Sequence, residues 1–170
     1  MMAAMTSADG LALIIREYRD GDELACHACV VELQDAGRSI DPRLRPGEAM
    51  ADEYLAQMHA RCRSNAGAII VAEQGDTIVG LVMILARVPF ESLDDPPGDY
   101  AYVAELVVLE GFRGQGIGRA LLRAAEGYAR DAGAVELRIG VLSENRVARR
   151  LYLEEGFLPY SEMLAKALDR

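Results

Sequence analysis

The sequence Arg-Gly-Gln-Gly-Ile-Gly occupies positions 113–118, between an apolar run at 102–109 and a helix-like stretch that begins at Arg119. Its glycines alternate with other residues, which leaves a turn with few side chains and with exposed backbone N–H groups. The stretch that follows places its apolar residues on one face of a helix, and the N-terminus of a helix carries a partial positive charge. The pattern therefore predicts a strand, a turn suited to a pyrophosphate, and a helix.

Two common phosphate-binding motifs do not fit this spacing. A Walker loop requires Gly-Lys-Ser/Thr, and a dinucleotide-binding turn requires Gly-x-Gly-x-x-Gly. The turn at 113–118 has neither pattern. It resembles the Arg/Gln-x-x-Gly-x-Gly/Ala signature of the GNAT superfamily of N-acetyltransferases, with Arg113, Gly116 and Gly118 at the three defined positions.

The resemblance implies a binding site for coenzyme A, in which backbone amides of the turn hold the pyrophosphate. It places the following residues at this site: Arg113, Gly114, Gln115, Gly116, Ile117, Gly118 and Arg119. It also implies that the backbone of Leu106, Val107 and Val108 runs alongside the pantetheine arm, as an added strand would. Acetyl-CoA is then the acyl donor, and no metal is needed.

Residues downstream of the turn agree with the resemblance. A strand candidate at 135–142 is followed by Asn145 and by a helix pattern that ends near Gly156, a natural helix stop. In the family, the corresponding Asn lies close to the cofactor, and a Tyr seven residues later faces the sulfur of the acyl-CoA. Asn145 and Tyr152 have this separation, and Gly156-Phe157 resembles the closing Gly-Phe of the family.

The remaining patterns complete a GNAT-like α/β (α+β) fold. Strands are expected at 11–18, 69–73, 77–86, 102–109, 135–142 and 159–166. Helices are expected at 22–35, from Pro46, from Arg119 and from about Val147. The order is β-α-α-β-β-β-α-β-α-β, and the resemblance implies a mixed, mostly antiparallel central sheet flanked by helices. No linker or repeat divides residues 1–170, so we expect a single N-acetyltransferase domain.

The chemistry implied by the resemblance requires a general base. An alkyl amine has a pKa of about 10.4, so its deprotonation at neutral pH costs about 4.6 kcal/mol. Glu105, in the strand before the turn, is the carboxylate best placed to take this proton, directly or through water. An ion pair with Arg138 is the alternative role for Glu105. Strand alternation places Glu105 on the opposite face from Tyr102, Ala104 and Leu106 unless a bulge intervenes.

Tyr152 is the candidate general acid for the departing thiolate, because a phenol donates a hydrogen bond and stays protonated at working pH. Its alternative role is packing in the core. We expect an acyl-CoA-dependent N-acyltransferase that moves acetyl from acetyl-CoA to a primary amine by direct attack. The acceptor is expected to be a small cationic amine or a peptide amine. A non-catalytic CoA-binding regulatory module and an oligomeric interaction protein are the alternatives.

The net charge of −9 disfavours nucleic acid as a partner, since phosphate contacts need Lys and Arg. Arginines nevertheless cluster around the turn and the last helix pattern, at Arg113, Arg119, Arg123, Arg146, Arg149 and Arg150. They could attract an anionic nucleotide, or simply form exposed pairs such as Arg150 with Glu154. The loop at 88–99 is acidic, with Glu91, Asp94, Asp95 and Asp99. It would attract a cationic acceptor, or it is only a solvated loop.

Cys26, Cys29 and Cys62, together with His27 and His59, offer enough donors for a zinc site. They lie within helix patterns, so we expect buried, reduced thiols and no metal. The apolar run at 11–15 is too short for an export signal or a membrane span. We therefore expect a soluble cytoplasmic protein without a membrane partner, compatible with a homodimer.

Overall fold

The computed structural model describes residues 3–6, 12–90, 94, 96 and 98–168. The strands in these ranges are β1 (Ala3–Thr6), β2 (Ala12–Glu17), β3 (Ala68–Gln74), β4 (Thr77–Pro89), β5 (Asp99–Val108) and β6 (Leu137–Ile139). The helices are α1 (Glu23–Ile40), α2 (Ala51–Ser64), α3 (Ile117–Asp131) and α4 (Arg146–Glu154). The fold is mixed α/β, with helices on both sides of a central sheet, which confirms the expected fold class.

The sheet follows the chain order, from β1 to β6. Neighbouring strands are antiparallel except β5 and β6, which run parallel. This parallel pairing is short, because Ala101, Tyr102 and Val103 are the residues of β5 that pair with β6. Beyond Val103, this edge of β5 has no strand neighbour within the described ranges. The edge is therefore open just before the glycine turn.

A β-bulge in β5 determines which side chains face which side of the sheet. Met83 of β4 pairs with Glu105, but the next residue, Ile84, pairs with Val103, so Ala104 is an extra residue. Because side chains alternate along a strand, one extra residue reverses the faces beyond it. Glu105 therefore lies on the same side as Ala104, beneath α1 and α2. The sequence allowed for such a bulge, and the structure contains it.

Two hydrophobic clusters fill the two sides of the sheet. One lies beneath α3 and α4 and includes Leu121 and Leu122, which are almost completely buried. The other lies beneath α1 and α2 and includes Val30 and Met58. None of the helices in the described part of the chain combines the length and the apolarity that a membrane span would need.

The cysteines belong to the cluster beneath α1 and α2. Cys26, Cys29 and Cys62 are buried and free of disulfide bonds. Burial raises the pKa of the Cys26 and Cys29 thiols to about 12 and that of Cys62 to about 11. No three His, Cys, Asp or Glu side chains within the described ranges are arranged to hold a metal. These thiols therefore pack as small apolar groups.

The last predicted strand, at 159–166, is not formed. Residues 157–168 have no regular secondary structure, and Met163 is 95% exposed. A strand needs a partner for its backbone groups, and β6 offers only three residues. The contact with β6 is made by side chains, since Arg138 donates to the Tyr160 hydroxyl over 3.1 Å. The sheet instead includes β1, a strand that the sequence pattern did not predict.

The C-terminal end of α2 contains a left-handed residue that is not glycine. Ala66 has a φ of 48°, and the N–H of Gly67 donates to the Cys62 carbonyl over 2.8 Å, as in a Schellman cap. This conformation costs a residue with a side chain about 1 kcal/mol. We expect Ala66→Gly to raise the free energy of unfolding by up to about 1 kcal/mol in urea denaturation.

A matched control for this prediction lies in the same helix. Ala56 is exposed in the middle of α2, where glycine is less favourable than alanine by about 1 kcal/mol. The same substitution at Ala56 should therefore lower stability. A loss of stability at Ala66 as large as that at Ala56 would contradict the assignment.

Candidate active site

The glycine turn adopts a conformation that favours glycine. Gly114 and Gly116 have φ values of 77° and 81°, in the left-handed region. No protein atom lies within 4 Å of a Cβ added at either position, so both glycines border open space. Gly116 is the N-cap of α3 and makes no side-chain capping hydrogen bond. The first N–H groups of α3 therefore face this space without a capping side chain, which suits an anion.

The side chain of Arg113 anchors the turn to the rest of the protein. Its Nε donates to the Val108 carbonyl over 2.9 Å, and its Nη2 lies 2.6 Å from the Glu32 carboxylate of α1. The guanidinium thus connects the turn to the end of β5 and to α1. Arg113 was predicted to contact the cofactor, and its side chain is committed to protein groups. Its contribution through this side chain is to position the turn.

Ion pairs connect α3 to α4 behind the turn. Arg119 contacts Glu155 at 2.5 Å and Glu154 at 2.8 Å, and Arg123 contacts Glu155 at 2.8 Å. Arg150 makes the expected pair with Glu154, at 2.8 Å. Much of the positive charge predicted near the turn is therefore neutralised. The pairs fix the relative position of the two helices that border the turn.

Asn145 begins α4 as its N-cap. Its side-chain oxygen accepts a hydrogen bond from the Ala148 N–H over 3.1 Å, which satisfies one of the free donors at the start of the helix. Asn145 was predicted to lie close to the cofactor. The structure gives it a capping role, so its polar side chain has a structural reason as well.

Tyr152 lies two turns further along α4 and is only 9% exposed. Its ring packs near that of Phe157, with 6.0 Å between the ring centres. Burial and the charge of Glu105 raise the pKa of the Tyr152 phenol to about 12. The phenol therefore stays protonated at any working pH. The core packing proposed as its alternative role is present, and it does not exclude proton donation.

Glu105 receives a hydrogen bond from the Tyr54 hydroxyl of α2. Burial raises the pKa of the Glu105 carboxyl, while the Tyr54 hydrogen bond and the charge of Arg61 oppose this rise. The alternative ion pair of Glu105 with Arg138 is not formed. Arg138 instead pairs with Glu136 and stacks on aromatic rings. Glu105 is thus a partly buried carboxylate without a direct cationic partner within the described ranges.

Glu105 and Tyr152 approach each other from opposite sides of the sheet. Tyr152 belongs to the cluster beneath α3 and α4, whereas Glu105 bonds to α2 on the other side. The negative charge of Glu105 contributes to the raised pKa of Tyr152, which agrees with a site that includes both groups. Glu105 lies two positions after Val103, the last residue of β5 that pairs with β6. Leu106, Val107 and Val108 follow it along the open edge.

Two residues near this site were not identified from the sequence. They are Tyr54 and Arg61. Both lie on α2 seven residues apart, which is two helical turns. The sequence signal that could have identified them is the pair of polar residues, seven positions apart, in a helix that faces the strand of Glu105.

Most of this chain matches the model of one protein family. The model of the acetyltransferase (GNAT) family matches residues 25–157. The chain belongs to the GNAT family. The matched range includes the glycine turn, Glu105, Asn145 and Tyr152, so the GNAT resemblance of the sequence is confirmed.

Two relatives and one solved structure are similar to this GNAT chain. N-acetyltransferase 8F1 of Rattus norvegicus is 34% identical over 110 residues, which cover 64% of this chain and 45% of the relative. Aminoalkylphosphonate N-acetyltransferase of Salmonella typhimurium is 44% identical over 66 residues, 39% of this chain and 43% of the relative. Each match thus spans less than half of the relative.

The solved structure is that of the aminoglycoside N-acetyltransferase AAC(6')-Iy in complex with CoA. It superposes with a TM-score of 0.73 at 16% identity, and the match covers 94% of this chain and 96% of that chain. At this identity the likeness is one of fold. It extends the GNAT architecture over nearly the whole chain.

Proposed function

We propose that this GNAT protein transfers the acetyl group of acetyl-CoA to a primary amine by direct attack. The observation that supports this most strongly is the open edge of β5. Along the chain it lies between Glu105 and the uncapped N-terminus of α3. The proposed base, the strand edge and the proposed phosphate site thus follow one another in the sequence.

The turn and β5 fit the donor in their shape and chemistry. A Cβ at Gly114 or Gly116 would project into open space, which is the space that a diphosphate needs in order to reach the backbone. Backbone N–H groups at 116–119 would hold this diphosphate. The edge at 106–108 offers N–H and C=O groups to the pantetheine arm, as in strand addition. Acetyl-CoA would supply an activated acyl group there.

Glu105 and Tyr152 would manage the two protons of the reaction. The raised pKa of Glu105 makes it a stronger base than an exposed glutamate, and it would take the proton of the acceptor ammonium. The amine nitrogen then forms the C–N bond to the acyl carbon as the C–S bond breaks. Tyr152 would give its proton to the departing sulfur, and a phenol with a pKa of about 12 carries that proton at neutral pH. The acylated nitrogen then loses its second proton, which restores the Tyr152 phenol and leaves the neutral amide.

The acceptor that we propose is a small primary amine or a peptide amine. One relative is named for an aminoalkylphosphonate acceptor, which is a small primary amine and supports this class. The acidic loop was proposed to attract the acceptor. Glu91 and Asp95 of this loop lie outside the described residues, whereas Asp94 and Asp99 are exposed. Their attraction for a cationic acceptor stays a prediction.

Binding of the donor is tested by thermal unfolding with acetyl-CoA. A ligand at 100 times its dissociation constant stabilises a folded protein by about 2.7 kcal/mol, which for a chain of this size is roughly 5–10 °C. We expect this shift with acetyl-CoA and with CoA. Thiol release in the presence of amines separates an enzyme from a CoA-binding regulatory module, which would show the shift without turnover.

The turn provides a matched pair of variants for the same assay. Gly116→Ala and Gly75→Ala both place a side chain on a glycine with positive φ, 81° and 62°, in open space. Each should lose about 1–2 kcal/mol of stability from backbone strain. Only Gly116→Ala should also lose the shift caused by acetyl-CoA. Equal shifts in melting temperature with acetyl-CoA in the two variants would show that the diphosphate binds elsewhere.

A further inference from the structure

Arg61 differs from the other arginines in the described residues. It is partly buried in α2 and makes no side-chain hydrogen bond or ion pair within the described ranges. The other partly buried arginines, Arg16, Arg119 and Arg138, all pair with carboxylates. Removing a charge from water is costly unless another charge compensates it. A partly buried guanidinium without a paired carboxylate is therefore available to bind an anionic group of a ligand.

The helix places Arg61 beside the candidate active site. Arg61 follows Tyr54 by two turns on the same face of α2, and Tyr54 is bonded to Glu105. The end of α2 is fixed to the sheet, because the Asn65 carbonyl accepts hydrogen bonds from the N–H groups of Ala86 and Arg87 over 3.1 and 2.9 Å. The C-terminal part of α2, which contains Arg61, is thus held against the sheet.

Arg61 and Glu105 also share one electrostatic environment. Arg61 extends from the same face of α2 as Tyr54, which bonds to Glu105. The positive charge of Arg61 acts to lower the pKa of Glu105, Tyr54 and Tyr102, which agrees with this placement.

We propose that Arg61 binds an acidic group of the acceptor, so that the acceptor is a primary amine that also carries a carboxylate or a phosphonate. This inference rests on the proposed acetyl transfer. The amine nitrogen would lie at Glu105 and the oxyanion at Arg61, whose planar guanidinium matches two oxygens of such a group. A purely cationic amine would instead be repelled by Arg61. The side chain is then a specificity-determining residue of the acceptor pocket.

The test compares matched acceptors that differ only in the acidic group. β-Alanine and 2-aminoethylphosphonate are the acidic probes, and β-alanine amide and propylamine are the probes without an acid. Acetylation is followed as release of CoA thiol. We expect wild-type kcat/KM to favour the acidic probes by about 10- to 100-fold, the range of a charge-assisted hydrogen bond.

Arg61→Gln should remove this preference mainly through KM for the acidic probes. Arg61→Lys should restore it in part, because a charge is present without the planar fork. Arg63→Gln is the matched control, since Arg63 is exposed two residues further along α2, and it should keep the preference. An equal loss for all probes in Arg61→Gln would show that Arg61 acts only on Glu105, which overturns the proposal. A wild-type protein without preference would overturn it too.

Thermal unfolding with 2-aminoethylphosphonate gives a readout that does not need turnover. We expect the acid to stabilise the wild type and not Arg61→Gln, with and without CoA present. No stabilisation in any state would count against Arg61 as an anion receptor. Calorimetry with CoA tests donor binding, and CoA thiol release with propylamine tests the proposed acetyl transfer. A protein that binds CoA and acetylates propylamine as well as β-alanine therefore loses only the inference about Arg61.

Discussion

Replacement of Glu105 by glutamine is expected to lower kcat by about 10²–10⁴-fold, the usual contribution of a positioned general base. Glutamine keeps the size of the side chain and can accept the Tyr54 hydrogen bond, but it cannot take a proton. Binding of acetyl-CoA should stay close to that of the wild type, because the turn is untouched. Steady-state kinetics and calorimetry on the same preparation separate these two effects.

The pH dependence gives an independent measure of the same residue. Burial raises the pKa of Glu105, and the base is active only when ionised. kcat/KM should therefore fall as the pH is lowered through this raised pKa, at a higher pH than for an exposed glutamate. Glu110→Gln, a change at an exposed position just after β5, serves as the control and should keep the profile. If Glu105→Gln retains full activity, the general base lies elsewhere.

The same variant should also be more stable than the wild type at neutral pH. An acid whose pKa is raised in the folded state ionises first in the unfolded chain, so stability falls as the pH rises from the ordinary glutamate range to the raised pKa. Glu105→Gln removes this loss. The gain in melting temperature should shrink as the pH is lowered toward the ordinary range of glutamate, which chemical denaturation at several pH values would show.

Asp22→Ala is expected to lower the free energy of unfolding by about 3–5 kcal/mol, the usual cost of breaking a buried ion pair. Arg16 and Asp22 are about nine-tenths buried and lie 2.7 Å apart, with a second contact of 2.9 Å between the same side chains. Asp22 also accepts the Arg19 N–H over 2.8 Å. The alanine variant would leave Arg16 with one carboxylate partner, Glu73 at 2.5 Å. A melting temperature lower by about 10 °C is expected for a chain of this size.

Asp20→Ala is the matched control, because Asp20 is exposed in the same short turn before α1. It should change stability by less than about 0.5 kcal/mol. The Arg16 hydrogen bond lowers the pKa of Asp22. The contribution of Asp22 to the free energy of unfolding is therefore present above the ordinary aspartate range and is lost as the pH falls through the lowered pKa. The difference in the free energy of unfolding between Asp22→Ala and the wild type should therefore become smaller at acidic pH. Equal losses of stability in Asp22→Ala and Asp20→Ala would exclude the buried ion pair as the cause of the loss in Asp22→Ala.

The sequence predicts those parts of the fold in which the signal is local. The glycine turn, the amphipathic α3 and the hairpin between β3 and β4 all have short-range patterns, and the structure forms each of them. Asn145 and Tyr152 were selected because their separation matches the one that the GNAT resemblance implies, and the structure places them at the start and within α4. These features depend on neighbouring residues, so they can be identified without knowledge of the distant contacts.

The remaining features depend on contacts between distant segments. The hydrogen bond from Tyr54 to Glu105 joins residues that are 51 positions apart, and no local pattern predicts it. The bulge at Ala104 changes the face of Glu105, and alternation alone would place this residue wrongly. The strand predicted at 159–166 is also not formed because of a distant contact. Its apolar pattern fits a strand, but β6 is too short to pair with it.

The interruption of the sheet beyond Val103 also bears on the order of events in a catalytic cycle. If the thioester is held from the side of α3 and α4 and the amine from the side of α2, neither ligand blocks the entry of the other. Both can then be present together, and acyl transfer needs no covalent relay through the protein. The kinetic consequence is a sequential mechanism with a ternary complex, in which saturation by one ligand leaves the entry route of the other free.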